Sequence, residues 1–227
     1  STFHNGDPGE GRVKLYNWID KATSLLSHNI CVSEQIATQK IKSPLVIPNF
    51  VNKANVVYWH NVKTIAFVGR LSKEKAPDIF CQLTKPCRQP LTIFGDGPMK
   101  ADLEKRYPDI HFMGNQNMQE HWSNIDLLVL PSRHEGLPMV VLEAMAQGIP
   151  VIATRCGALP DIIKSGVNGW LVNIDDTQAI QNAITHWYSM PSPDKVKLRD
   201  AAASTIRENY SVEKLLPKVI NIYEQCS

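Results

Sequence analysis

The sequence has no run of about 18 apolar residues, the length a helix needs to cross a bilayer. It also has no C-x-x-C pair. Its five cysteines (Cys31, Cys81, Cys87, Cys156 and Cys226) are odd in number and scattered. That pattern points to reduced, mostly buried thiols in a cytoplasmic protein. No G-x-G-x-x-G follows a strand-like run and no G-x-x-x-x-G-K-[ST] occurs, which argues against dinucleotide and Walker-type phosphate sites. No D-x-D motif is present to hold a divalent metal, and His111, His121 and His134 have no zinc spacing. A formal net charge of +2 is too small to argue for a nucleic-acid partner. The opening STFHNGDPGEGR lacks an apolar stretch after a basic start, so it does not read as a secretory leader.

What the sequence does have is ordinary globular composition, 43% hydrophobic and 20% charged over 227 residues. Six short apolar runs recur: Thr64–Gly69, Leu91–Gly95, Ile110–Gly114, Asp126–Ser132, Pro150–Thr154 and Gly169–Val172. They are nearly continuous in apolar character, as strands buried on both faces are. Helical stretches are expected between and after them, over Pro77–Thr84, Met99–Tyr107, Met118–Asn124, Pro138–Gln147, Leu159–Ser165 and Thr177–Tyr188. Such alternation predicts an α/β fold, a doubly wound, Rossmann-like parallel sheet with helices on both faces. Two helices should close the chain, over Asp194–Asn209 and Val212–Gln225, with Ser211 as an N-cap and Pro217 kinking or restarting the second.

The first 45 or so residues do not fit this unit. TFH, NICVSE and LVIPNFV read as short strands, and VKLYNWIDKATSLLS as an amphipathic helix. The expected division is 1–47, the tail of another domain, and 48–227, a Rossmann-like domain with its closing helices.

The stretch SRHEGLPMVVLEAMAQG, Ser132–Gly148, carries two glutamates separated by seven residues, Glu135 and Glu143. It follows a buried strand, and ligands of doubly wound sheets bind outside the carboxyl ends of strands. Pro138 suits the first helical position and Gly148 the position just past the helix end. The N–H groups of Gly136, Leu137 and their neighbours then form a positive helix end that favours a phosphate or a sugar hydroxyl. Glu143 lies roughly 7–8 Å further along the axis. An extended ligand with a hydroxyl-rich group near each carboxylate and an anion between them fits, and a nucleotide-sugar has that layout. The competing reading is a helix cap at Glu135 and a surface residue at Glu143. The loop VGRLSKEK brings Arg70 and Lys75 to another strand end, where a planar fork and a point charge suit a diphosphate. An ordinary solvated basic loop is the alternative.

Taken together, VGRLSKEK, FGDGP, FMGN, D-x4-PS-x2-EGLP, the glutamate pair and LEAMAQGIPVIAT…GALPDII…GVNGWLV resemble the family 4 glycosyltransferases, retaining enzymes of GT-B fold. The resemblance covers about residues 28–225. It implies one GT-B half plus part of the other. It implies that Arg70 and Lys75 hold the donor diphosphate and steady the leaving group. Glu135 would contact the donor sugar, and Glu143 the ribose. The backbone at Gly136, Leu137, Pro138 and Met139 would seat sugar and phosphate, and Met113, Gly114 and Asn115 the base. TFHN resembles the family's acceptor-side histidine segment, which would bring His4 near the reacting carbon; a solvated loop histidine is the competing reading. GDGP is expected to be structural first. Family members commonly have Gly where this chain has Ala76 and Pro138, and Pro138 removes one N–H donor.

The resemblance further implies transfer of a sugar, with retention, from a nucleotide-sugar to an acceptor hydroxyl by front-face displacement. No metal and no other cofactor is expected. A UDP-hexose or UDP-N-acetylhexosamine is the expected donor, and a glycan or lipid-linked glycan of bacterial surface polysaccharide or lipopolysaccharide synthesis the expected acceptor. The expected place is the cytoplasm, including the inner face of its membrane, with peripheral docking through the missing half. This chain alone is expected to transfer weakly or not at all. The alternative is a nucleotide-sugar-binding module without catalysis. A GT-B epimerase or phosphorylase fits the motif set less well.

Overall fold

The computed structural model describes residues 2–3, 29–31, 44–52, 56, 64–84 and 89–226. The apolar runs become strands because alternate residues find cover on opposite faces. In β4 (Ile65–Val68) Ile65 and Phe67 enter one core and Ala66 the other. In β7 (Leu127–Leu130) Leu127 and Val129 divide from Leu128 and Leu130 in the same way. Each large side chain so buried contributes about 1.5–3 kcal/mol of hydrophobic stabilisation.

Among the described residues, β4, β5 (Leu91–Phe94), β6 (His111–Gly114), β7, β8 (Val151–Thr154) and β9 (Gly169–Val172) form a parallel sheet in the order β6-β5-β4-β7-β8-β9. The expected α/β doubly wound sheet is present. A separate parallel sheet joins β1 (Thr2–Phe3), β2 (Asn29–Cys31) and β3 (Pro44–Val46). His4 and the helical reading of VKLYNWIDKATSLLS lie outside the described residues.

Helices α1 (Pro77–Cys81), α2 (Lys100–Arg106) and α5 (Thr177–Ser189) cover the Phe67 face. Helices α3 (Met139–Ala146) and α4 (Leu159–Ile162) cover the Leu128 face. The long α6 (Ser192–Asn209) feeds both cores, Leu198 into one and Ala202 and Ile206 into the other. Val51 pairs with Ser211 just before α7 (Val212–Cys226). Among the described residues no helix is long and apolar enough to cross a membrane.

The structure differs from several local expectations. Met118–Asn124 is two single 3-10 turns, Met118–Glu120 and Trp122–Asn124, rather than an α-helix. Trp122 is buried in the core there, and tertiary packing overrides the local helical pattern. Helix α4 stops at Ile162, because Ser165 pairs with Gly169 and its hydroxyl accepts the Leu171 N–H. Pro138 is the N-cap of α3, with ψ at 121, and not its first helical residue. Ser211 turns its hydroxyl back to the Arg207 carbonyl at the end of α6. Pro217 sits inside a continuous α7, which does not restart there. Gly148, at φ 74, does close α3: its N–H bonds Met145 and the next N–H, of Ile149, bonds Ala144.

Candidate functional site

The strand order reverses its direction of growth between β4 and β7. From β4 the chain builds outward to β5 and β6, then returns to β7 and builds the other way. Loops at the carboxyl ends of these two strands therefore diverge and leave a crevice between them.

The loop after β4 presents Lys75. Its N–H and that of Ala76 both bond the Ser72 carbonyl, making a tight turn. Ala76 closes the turn in the left-handed region, at φ 52 and ψ 47, fully buried. A side chain there costs roughly 1–2 kcal/mol, which glycine would avoid. The loop after β7 presents Glu135. Its Oε2 accepts Lys75 Nζ at 2.6 Å and its Oε1 accepts the Ser132 hydroxyl at 2.7 Å. The Glu135 side chain is 3% exposed and the Lys75 side chain 28%. Lys75 therefore keeps donor capacity toward solvent, since an ammonium has three N–H groups. The sequence reading assigned the two residues to different parts of a ligand. The structure joins them directly.

Three further loops brace this pair. After β8, the Thr154 hydroxyl and the Cys156 thiol both donate to the Ser132 carbonyl. Burial pushes the Cys156 thiol above its ordinary pKa. Ala158 N–H bonds the Gly136 carbonyl, and Gly157, at φ 54, passes so close that a Cβ would lie 2.3 Å from the Glu135 carbonyl oxygen. After β5, GDGP packs its backbone on the β4 loop: Leu71 N–H bonds the Asp96 carbonyl, and a Cβ on Gly95 would lie 1.9 Å from the Gly69 oxygen. Its role in the fold is structural, as expected. From the other side, the Asn49 amide donates to the Leu137 carbonyl at 2.8 Å.

Beyond Glu135, Gly136 and Leu137 are buried, Pro138 is half-buried and Met139 exposed. Among the described residues, the N–H groups of Gly136, Leu137, Met139 and Val140 meet no acceptor. They stand at the positive end of α3. Glu143 lies one turn from Met139, and both line a cleft of about 550 Å³ with Phe50, Asn52, Gln119 and Gln147. No described residue pairs with the Glu143 carboxylate. Burial raises its pKa above the ordinary glutamate value. An unpaired, half-buried carboxylate facing a cleft is a group waiting for a hydrogen-bond donor.

Arg70 is exposed on the β4 loop. Burial alone would raise the pKa of nearby Glu74. The Ser72 hydroxyl, its own N–H and the charges of Arg70 and Lys75 outweigh that and lower it. Met113, Gly114 and Asn115 end the edge strand β6, on the same carboxyl side of the parallel sheet. The structure thus brings Lys75, Glu135 and the Gly136–Met139 backbone together, and places Glu143 one turn away. Among the described residues, no three His, Cys, Asp or Glu side chains gather into a group able to hold a metal ion.

Sequence reasoning passed over Ser132, Arg133 and Asn49. Ser132 stands in the PS motif itself, so its signal was present. Asn49 and Arg133 act through partners 88 and up to 60 residues away, which local spacing does not reveal.

Residues 62–190 match the family described as glycosyl transferases group 1. The chain belongs to that family. A GDP-mannose-dependent alpha-mannosyltransferase of Corynebacterium glutamicum is 34% identical over 128 residues, 55% of this chain and 31% of that protein. The O-antigen biosynthesis glycosyltransferase WbnH of Escherichia coli is 32% identical over 191 residues, 78% of this chain and 55% of that protein. This glycosyl transferases group 1 chain therefore spans only part of the length of those relatives. Its fold is that of one GT-B half. An S. aureus TarM mutant in complex with fondaparinux, alpha-GlcNAc-glycerol and UDP superposes with a TM-score of 0.85 at 21% identity, covering 98% of this chain and 50% of that one. Anabaena HepE in complex with UDP superposes at 0.81 and 18% identity, covering 99% and 71%.

Proposed function

We propose that this chain is the donor-binding part of a retaining glycosyltransferase that moves a hexose or N-acetylhexosamine from a nucleoside diphosphate to an acceptor hydroxyl. One observation carries the reading: Lys75, fixed at 2.6 Å by the buried Glu135, joins the loops that follow β4 and β7 and stays 28% exposed, with donors to spare. The free N–H groups at the start of α3 and the unpaired Glu143 continue the same line.

In this reading Lys75 and Arg70 hold the diphosphate, and Glu143 accepts from the ribose hydroxyls. Glu135 faces the donor sugar and holds Lys75. The Gly136–Met139 backbone seats sugar and phosphate, and Met113–Asn115 the base. The bond from the sugar anomeric carbon to the phosphate oxygen breaks, and the acceptor oxygen bonds that carbon on the same face. The acceptor proton passes to a phosphate oxygen. Positioning and charge stabilisation at the diphosphate supply the catalysis, without a metal. In this reading residues 1–47 are part of the acceptor side, and His4 is assigned a role in the reaction there. The acceptor is a surface-polysaccharide or lipid-linked glycan, met at the inner face of the cytoplasmic membrane. WbnH is named for O-antigen biosynthesis, which supports that acceptor class. HepE and TarM were crystallised with UDP, which supports a uridine donor, while the corynebacterial relative is named for GDP-mannose.

A thermal-shift titration with UDP, GDP, ADP and CMP, then the matching nucleotide-sugars, tests this. A ligand at 100 times its Kd adds about 2.7 kcal/mol of stability. A selective shift that Glu143→Ala abolishes is the expected result. A Glu143→Ala chain that still binds its nucleotide unchanged would remove the ribose assignment, and no shift with any nucleotide would remove the donor site.

A further inference from the structure

Among the described residues, Arg133 gathers partners from three separate segments beside the Lys75–Glu135 pair. Its Nε donates to Asp175 at 2.8 Å, after β9. Its Nη1 and Nη2 donate to the two oxygens of Asp78, on α1, at 3.3 and 3.1 Å. Its Nη1 also donates to the Lys73 carbonyl at 2.9 Å, inside the loop that presents Lys75. The backbone N–H groups of Arg133 and His134 both donate to the Glu74 carbonyl, at 2.8 and 3.3 Å. The hydrogen bond to Asp78 raises the Arg133 pKa further, so the guanidinium stays charged.

These contacts grip Lys73 and Glu74 by their main chain, immediately before Lys75. Immediately after it, Ala76 holds a left-handed conformation that an alanine adopts only when its surroundings impose it. The partner on the far side is equally tied, because Arg133 is two residues from Glu135 on the same loop. A turn strained at one end and clamped at the other presents its side chain in one place.

We infer that Arg133 is a positioning residue: it clamps the 72–76 turn onto the 131–138 loop and so holds Lys75 against Glu135. The inference rests on the proposed role of Lys75 toward a diphosphate. It adds that a residue which need not touch the ligand sets the affinity for that group.

Two readouts on the 227-residue chain separate the inference from the reading beneath it. The first needs no ligand. Each lysine is acylated with an amine-reactive ester and its rate read by mass spectrometry. In Arg133→Gln the Lys75 rate should rise severalfold while that of Lys100, paired with Asp96 on another loop, stays unchanged. Rates that rise together, or a Lys75 rate that does not move, would overturn the clamp. Asp78→Asn removes the bidentate partner and should raise the Lys75 rate in the same direction, so a poorly folding Arg133→Gln leaves the question decidable. The second readout is UDP against uridine, or GDP against guanosine if the titration selects it. Lys75→Ala should lose about tenfold or more for the diphosphate and little for the nucleoside. Arg133→Gln should lose several-fold in the wild-type background and nothing further in the Lys75→Ala background. Additive losses would make Arg133 a ligand contact or a general support, and the clamp would fall. A Lys75→Ala chain with unchanged diphosphate affinity would instead remove the reading of Lys75, whatever the acylation rates show.

Discussion

Two ion pairs stand at opposite ends of the same strand. At the amino end of β7, Asp126 accepts from Arg199 at 2.6 Å and from the Trp187 indole at 3.0 Å. The Arg199 guanidinium also lies over the Trp187 ring, 5.5 Å from its centroid. Both charged side chains are nearly closed off, 7% and 11% exposed. At the carboxyl end, Lys75 and Glu135 meet at the same 2.6 Å, but Lys75 keeps 28% of its side chain exposed. The first pair has its neighbours within the fold, and it ties the start of β7 to α5 and α6. The second has one member buried and one available. The two pairs share one distance; they differ in the accessibility of the remaining donors, which only the second can offer to a ligand.

The largest effect should follow from breaking the structural pair. Asp126→Ala strands a buried guanidinium and should cost about 3–5 kcal/mol in urea unfolding. Nucleotide affinity, measured below the unfolding range, should stay at the wild-type value; a matching affinity loss would mean that the two ends of β7 are coupled. Gly157→Ala probes the carboxyl end through its backbone. The left-handed conformation and the approach to the Glu135 oxygen together should cost about 2 kcal/mol or more. Here affinity should fall with stability, because relief of the clash moves Glu135. An unchanged affinity would detach the β8 loop from the site.

The smallest effect concerns Glu143. Burial raises its folded pKa above the ordinary 4.5, so the folded state favours the protonated form. Stability from this group is present below the unfolded value and is lost as pH rises through the folded one. Glu143→Gln should therefore be modestly more stable than the wild type at neutral pH, and that gain should shrink toward about pH 4. Urea midpoints at the two pH values decide it. A gain that is equal at both would assign the effect to packing rather than to the charge. Stability gained together with affinity lost is the pattern of a group kept for a ligand.

Much of this was legible beforehand. The six runs became strands within a residue or so of their expected bounds, because burial on two faces leaves a continuous apolar signature. Gly148 was readable as a helix terminator, since its place past the last apolar turn needs a left-handed residue. The Ala76 and Pro138 departures from the family's glycines marked positions whose backbone turned out to be special, one left-handed and one an extended cap. The 118–124 region misled because its helical pattern yields to the burial of Trp122.

The sequence by itself determined the strand–helix alternation, the chain ends of each strand and the loops that carry chemistry. All of these depend on neighbours within a turn or two. Only the tertiary structure decided which charges meet. Lys75 reaches Glu135 across 60 residues, Arg133 reaches Asp175 across 42, and Arg199 reaches Asp126 across 73. Those pairings come from the order in which strands lie side by side, and hydrophobic periodicity carries no record of that order.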